Sequence, residues 1–511
     1  MYEPCMNSLW YGLYNMVPFL RCFPEEVWEV EDPREYGRKF ELRRPLLPSD
    51  WARFLHHAGR VRSLGPTDDH DHLKIMTHIE QHIAPESAYH ALDMSKPREI
   101  LLPNLRTLHW KFTQDELQHI RPFLCPSMRD ISIVLYAPPS MAERSLLLSL
   151  SSMMKQVTSF CIDIDYTALD GSDDYAIYVN PILKDIISFW DRLRTLVIPS
   201  TSLTASSLPH IALLPYLEEL TVELREEIGL SCLEGHAFPA LWHLAVYCNS
   251  LSMCTKFLQL SQSWTLENVD VTISRNHLDS AETTQAFFKV LQSHVSNENL
   301  SGVSVSSLDL PNASNNHILD IETLAPLLSL PHLGWLNIST PHPFNLCDRD
   351  LWKIATAWPE LQTLTLGRHG WGVPSLITPN GLASLLNQCR QLSSLSLAID
   401  ASAFDWYQLN DATFVMPHMN LCFLDLQDSR LHDARTMAVF LADVVPEISV
   451  IAAWSQHVRG RHHVSHFEAD ALARKWDRAR SAANARAMLR RQEKYRQRRL
   501  MQLSIDSSTS G

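Results

Sequence analysis

The chain has 511 residues, of which 45% are hydrophobic and 20% charged, and a net charge of -13. These proportions are ordinary for a folded globular protein and exclude a disordered or collagen-like chain. Residues 459–500 hold 13 Lys or Arg against 4 Asp or Glu, an excess that leaves the remainder near -22, so the body has no basic balance with which to bind nucleic acid.

Targeting and redox signals are few. The first ten residues carry no basic side chain, and the apolar stretch 16–20 is short and followed at once by Arg21, so no signal peptide is expected. No run approaches the length of uninterrupted apolar residues that a membrane span needs. The ten cysteines include no CxxC pair and read as free, mostly buried thiols of a reducing compartment, cytoplasmic or nuclear.

In chain order, Leu9, Trp10, Leu13, Val17, Leu20 and Phe23 predict an amphipathic helix that runs into a break at Pro24. Pro48-Ser49-Asp50 before Trp51, Phe54 and Leu55 reads as a capped helix start. Residues 1–64 are therefore expected to form a helical N-terminal cap, which would cover an end of the core that a terminal unit leaves open. Residues 65–100 read as an irregular polar connection. Within it, 68–82 (DDHDHLKIMTHIEQH) places His78 and His82 four apart, on one helix face, with Asp and His neighbours. The order His-x-Glu-x-His differs from that of zinc proteases, and a solvated polar segment is the simpler reading.

From residue 101 to 456 one pattern recurs: apolar, two variable, apolar, one variable, apolar. It reads Leu105-x-x-Leu108-x-Trp110, Met128-x-x-Ile131-x-Ile133 and Val157-x-x-Phe160-x-Ile162. It continues at Leu193, Leu217, Leu241, Leu266, Leu300, Leu333, Leu361, Leu392 and Leu421, and fades at Ile448-x-x-Ile451-x-Ala453. Val61-x-x-Leu64 reads as an irregular first copy. The middle apolar positions step by 24, 24 and 25 residues in the centre of the chain, enough for a strand, a turn, a helix and a return. Because strand side chains alternate, the two residues of each Leu-x-Leu enter a core and the residues between them face outward. Each strand returns through a crossover, so the strands must be parallel. Segments 320–330, 348–358, 379–389 and 432–445 open on polar or turn residues and carry apolar residues at helical spacing. The expected fold is α/β: a leucine-rich-repeat solenoid, a horseshoe wound as a right-handed β/α superhelix, whose bare concave face meets a partner.

Residues 457–500 hold no proline and a single glycine, and predict a long basic helix with Phe467, Leu472, Trp476 and Leu489 as sparse apolar anchors. The simplest reading is a solvated helix with no partner. Of the two active readings, docking on the acidic body or polyanion binding, the preferred one is partial docking at its start, with the distal end free to meet a polyanion, nucleic acid included, through Arg490, Arg491, Lys494, Arg496, Arg498 and Arg499. Residues 501–511 are Ser-rich and expected to be disordered.

The stretches LPNLRTLHW (102–110), FPALWHLAV (238–246), WPELQTLTL (358–366) and CRQLSSLSL (389–397) resemble the rungs of the F-box/leucine-rich-repeat proteins, in particular the large fungal group. The opening LWYGLYNMVPFLRCFP (9–24) is similar to the linker that follows the F-box there. The resemblance implies a substrate-recognition part of a ubiquitin ligase receptor, docked through an F-box on the Skp adaptor of a cullin ligase. Here only eight residues precede Leu9 and no Leu-Pro-x-Glu opening is present, so the expectation is a member whose F-box is missing or truncated in this sequence. Phe23-Pro24-Glu25-Glu26 matches that opening superficially. The alternative is a binding scaffold with no ligase link.

No catalytic, cofactor or metal motif stands out, and no enzyme activity is expected. Gly367, Gly370 and Gly372 cluster after a strand, yet no Lys follows as a phosphate loop requires. His462, His463 and His466 lie in the basic segment without a ligand spacing that stands out. The candidate protein-binding positions on the concave face are His109, Lys111, Arg194, Trp242, His243, Tyr247, Trp335, Asn337, Phe423 and Asp425, since exposed aromatics are common binding anchors.

Overall fold

The computed structural model describes residues 2–31, 38–66, 82–83, 86–111, 117–136, 138–164, 179–203, 207–225, 237–261, 263–273, 279–307, 318–404, 416–459 and 464–508. The chain divides into two compact units, Met1–Leu241 and Trp242–Gly511.

Each apolar triplet builds one strand. In the first unit these are β1 (Gly12–Leu13), β2 (Ser63–Leu64), β3 (Thr107–Lys111), β4 (Asp130–Leu135), β5 (Ser159–Ile164), β6 (Thr195–Ser202) and β7 (Glu219–Leu224). They lie side by side in sequence order, every pair parallel. The second unit holds β8 (His243–Cys248), β9 (Asn268–Ile273), β10 (Gly302–Ser307), β11 (Trp335–Ser339), β12 (Thr363–Leu366), β13 (Ser394–Ser396), β14 (Phe423–Asp425) and β15 (Val450–Ala452). They too are parallel and consecutive. This is a leucine-rich-repeat solenoid. Its register carries the middle leucines across the sheet as one row, Leu244 beside Val269, Val303, Leu336, Leu364, Leu395, Leu424 and Ile451. Leu196, Leu220, Leu244 and Leu364 are at most 1% exposed, as core positions of a repeat require.

Between strands the chain returns through helices with side-chain caps. α1 (Met141–Met153) starts on Ser140, whose hydroxyl accepts from the Glu143 N–H while the Glu143 carboxylate accepts from the Ser140 N–H. α2 (Leu251–Leu258) and α3 (Ala281–His294) open on Ser250 and Ser280, whose hydroxyls accept from the Ser252 and Thr283 N–H groups. α4 (Asp348–Ala357) and α5 (Pro379–Gln388) are tied together: the Asp348 carboxylate accepts from the Thr378 N–H at 2.7 Å and from its hydroxyl at 2.6 Å. α6 (Ala434–Val444) is capped by Asp433. The expected helix at 320–330 is broken instead into Ile321–Leu324 and a 3-10 turn Leu327–Ser329, because Pro326 interrupts the hydrogen-bond ladder.

The N-terminal segment departs from its expected helix. Tyr2–Leu9 is helical, but Gly12–Leu13 is a strand of the sheet, and only Val17–Leu20 returns to helix, with Pro18 in its first turn. What lies behind the apolar spacing is an aromatic cluster that ignores helical faces. Trp10 stacks on His57 at 4.2 Å, Phe19 meets Phe54 at 4.3 Å and Phe23 meets Trp51 edge-on at 5.2 Å. Glu25–Val27 is a single 3-10 turn leading into Trp28–Glu31, which pairs antiparallel with Arg38–Leu42. Part of 65–100 is ordered as well, with a helix at Glu86–Ser95.

At the other end, α7 spans His466–Ser508, past the expected limit at 500 and over most of the tail expected to be disordered. It presents Ala469, Ala473, Trp476, Ala479 and Ala483, all buried and spaced by three or four residues, to α6 and the short strand Arg430–Leu431. Small side chains at these positions let the helices approach closely. The Trp476 indole N–H donates to the Ser429 carbonyl at 2.9 Å and fixes the rotation of the helix. Phe467, an expected anchor, is 80% exposed, because it falls off this stripe. Leu489 is exposed for the same reason.

Candidate functional site

One face of each strand is buried and the alternate residues stay half-exposed, which leaves an open face on both units. In the second unit the register lines up three rows on this face. The first runs His243, Asn268, Gly302, Trp335, Thr363, Ser394, Phe423. The second runs Ala245, Asp270, Ser304, Asn337, Thr365, Ser396, Asp425. The third holds Tyr247, Thr272, Ser306 and Ser339. His243, Tyr247, Trp335, Asn337, Phe423 and Asp425 thus stand on one surface. His109 occupies the matching face of the first unit, on β3, beside Ser132.

The rows are knitted by short polar contacts. His243 Nε2 lies 2.9 Å from the Asp270 carboxylate. Asn337 donates its amide to the Ser304 hydroxyl at 3.0 Å and accepts from the Ser339 hydroxyl at 2.6 Å. Asp425 accepts from the Gln427 N–H at 3.0 Å and from the Ser396 hydroxyl at 3.4 Å, while burial pushes its carboxyl above the usual carboxylate range. Gly302 leaves room here: a β-carbon would displace the Asn268 amide oxygen and touch the Trp335 ring at 3.0 Å. The Trp335 ring therefore lies low over the preceding strand, while Phe423 stands up at 38% exposure.

Two expected members sit elsewhere. Arg194 and Trp242 each precede their strand by one residue, in the return turn, and so fall outside the alternation that places a side chain on the open face. Trp242 packs on His243 with ring centres 5.6 Å apart. Arg194 pairs with Glu218 at 2.7 Å.

The return-turn position of Arg194 forms a row of its own in the first unit. The residue after the first apolar of each copy is Arg62, Arg106, Arg129, Thr158, Arg194 and Glu218 in turn. Backbone N–H groups of successive members donate to the carbonyl before them at 2.7–2.8 Å. Arg129, Thr158 and Arg194, with Gln156, Arg192 and Tyr216, line an open hollow of about 580 Å³. Only Arg194 of this set was legible as a candidate. The signal for the rest was the column itself, visible once the copies are aligned on their first leucine.

Of the basic helix residues, Arg490 donates to the Ala442 carbonyl at 3.0 Å and pairs with Asp443, and Arg491 pairs with Glu447. Both are held by α6 and the turn after it rather than standing free. Arg496 is exposed. The side chains of Lys494, Arg498 and Arg499 lie outside the described residues, as do 68–81, His462 and His463.

Among the described residues no group of three His, Cys, Asp or Glu could hold a metal ion, and no helix is long and apolar enough to cross a membrane. Gly367, Gly370 and Gly372 all take positive φ in a turn whose Trp371 and Gly372 N–H groups both donate to Asp428, so these amides already have an anion. Cys248 and Cys389 are buried thiols pushed up to about 12 by burial. Cys422 is exposed, in the turn just before β14.

No family model and no curated protein sequence matches this chain. Solved structures do. An internalin from Listeria monocytogenes has 15% identity over 69% of this chain and 81% of its own, with a TM-score of 0.31. A TLR13–ssRNA13 complex has 12% identity over 78% of this chain and 57% of its own, with a TM-score of 0.38. At that level neither says what this chain binds.

Proposed function

We propose that this chain is a protein-binding leucine-rich-repeat module that grips its partner on the open face of the second unit. The observation that carries this is the register-aligned surface of Tyr247, Trp335 and Phe423 among hydrogen-bonded polar side chains. Aromatic anchors are held there on rigid strands, which limits the entropy lost on binding. Resemblance to the fungal F-box/leucine-rich-repeat proteins supports a finer reading, the substrate-recognition part of a Skp–cullin ubiquitin ligase receptor.

One observation favours the rival, a scaffold with no ligase link. The Phe23-Pro24-Glu25-Glu26 stretch leads into a 3-10 turn and a strand rather than into successive helices, and Gly12–Leu13 belongs to the repeat sheet. Binding of the purified full chain to a recombinant Skp adaptor separates the two. Stoichiometric co-elution supports the ligase receptor; no co-elution at micromolar concentrations leaves the scaffold.

A further inference from the structure

The hollow of the first unit lies at the N-terminal ends of β4–β7, apart from the aromatic rows described above. Its size falls in the range of about 300–1,000 Å³ typical of ligand sites, at about 580 Å³. Its polar lining is rich in donors, three guanidinium groups from Arg129, Arg192 and Arg194, a Gln156 amide and the Tyr216 hydroxyl, while the Thr158 hydroxyl donates to the Arg129 carbonyl at 3.4 Å. Arg129 and Arg192 are exposed and form no ion pair among the described residues. Arg194 already shows what the surface takes, since it holds the Glu218 carboxylate at 2.7 Å. Arg106, one copy before Arg129, is also exposed and extends the stripe.

From this we infer that the hollow binds an acidic segment of a partner protein, with Asp or Glu carboxylates seated on Arg129 and Arg192. Guanidinium groups match carboxylates in a planar, two-pronged fashion. Arg106 and Arg129 stand before neighbouring strands about 4.8 Å apart, so the stripe offers more than one guanidinium to an acidic segment that crosses it. Tyr216, 54% exposed, supplies a flat apolar wall against which such a backbone rests. A long nucleic acid fits poorly, because a continuous phosphate chain would run beyond the arginines onto a unit that holds 22 Lys or Arg against 33 Asp or Glu over residues 1–241. The inference rests on the reading of this chain as a protein-binding module and adds the chemistry of one contact to it.

The test uses the full chain with Arg496, Arg498 and Arg499 replaced by Gln, which lowers the positive charge at the distal end of the C-terminal helix. A fluorescently labelled peptide of alternating Glu and Ala is titrated by anisotropy near physiological salt, beside the same peptide with Gln for Glu. We expect the Glu peptide to bind at least about tenfold more tightly, a difference of about 1.4 kcal/mol. The variant R129Q/R192Q should abolish that preference and keep its melting temperature, since both side chains are exposed. Equal binding of the two peptides, or full binding by R129Q/R192Q, overturns the inference. So does a labelled polyuridylate that binds as tightly as the Glu peptide and depends on the same two arginines, since the stripe would then be an unselective polyanion surface. A Trp335→Ala variant should leave the peptide affinity unchanged. Failure of the peptide with an intact partner contact at Trp335 would remove this inference alone and leave the proposed function standing.

Discussion

His418 shows how a single buried ring makes the stability of a repeat depend on pH. Its Nε2 donates to the Cys389 carbonyl at 2.9 Å and its Nδ1 accepts from the Leu421 N–H at 3.2 Å, so one ring staples two successive return turns. The second contact needs the neutral ring, since a protonated Nδ1 cannot accept, and burial holds the pKa below its ordinary 6.5. The sign follows: as pH falls through 6.5 the unfolded chain takes up a proton that the folded chain resists, so stability is full above that point and declines below it. His57, stacked on Trp10, is depressed by burial as well and acts in the same direction. Melting temperatures measured between about pH 7.5 and 5.5 should fall for the native chain, and less steeply for His418→Asn. Parallel curves for the two proteins would show that His418 is not a source of the acid sensitivity. None of this was legible in the sequence, where His418 is one histidine after a proline; its role depends on a carbonyl a full copy away.

Among the elements, α7 shows both what periodicity reveals and what it hides. A long basic helix was legible from composition, and Trp476 as an anchor was legible too. The true docking stripe was hidden, because alanine scores as a neutral helix former while its small size is what brings α7 onto α6. Docking also runs further than expected, since Arg490 and Arg491 reach the C-terminal carbonyls and acids of α6 and its following turn, where positive charge is favoured by the helix dipole. A truncation and a substitution should separate the contributions. Ending the chain at residue 484 removes exposed ion pairs worth about 0–1 kcal/mol each and should lower the melting temperature only slightly. Trp476→Ala removes a buried ring and its hydrogen bond and should cost about 3–5 kcal/mol. If calorimetry gives the two changes in the reverse order, the distal half rather than the alanine stripe secures the helix.

Across the whole molecule, the part of the fold legible in advance was the part fixed by one-dimensional repetition. Every apolar triplet from Leu105 to Leu421 became a strand, because the same three positions must fill the same core in each copy. The first rung escaped, since Gly12–Leu13 has two residues and its apolar neighbours belong to an aromatic cluster made from distant pieces. The arginine column escaped because it varies between copies and becomes a surface only in register. Stability should follow the same one-dimensional logic, since each rung of an array packs on its immediate neighbours. Leu364 is fully buried and sits between Leu336 and Leu395. Leu364→Ala should cost about 2–5 kcal/mol through lost burial and the cavity left behind. Hydrogen exchange read peptide by peptide should then show lost protection centred on β11, β12 and β13, while β3 to β5 keep theirs. Uniform loss of protection across both units would sink this expectation, because the array would then open as a single cooperative block rather than rung by rung.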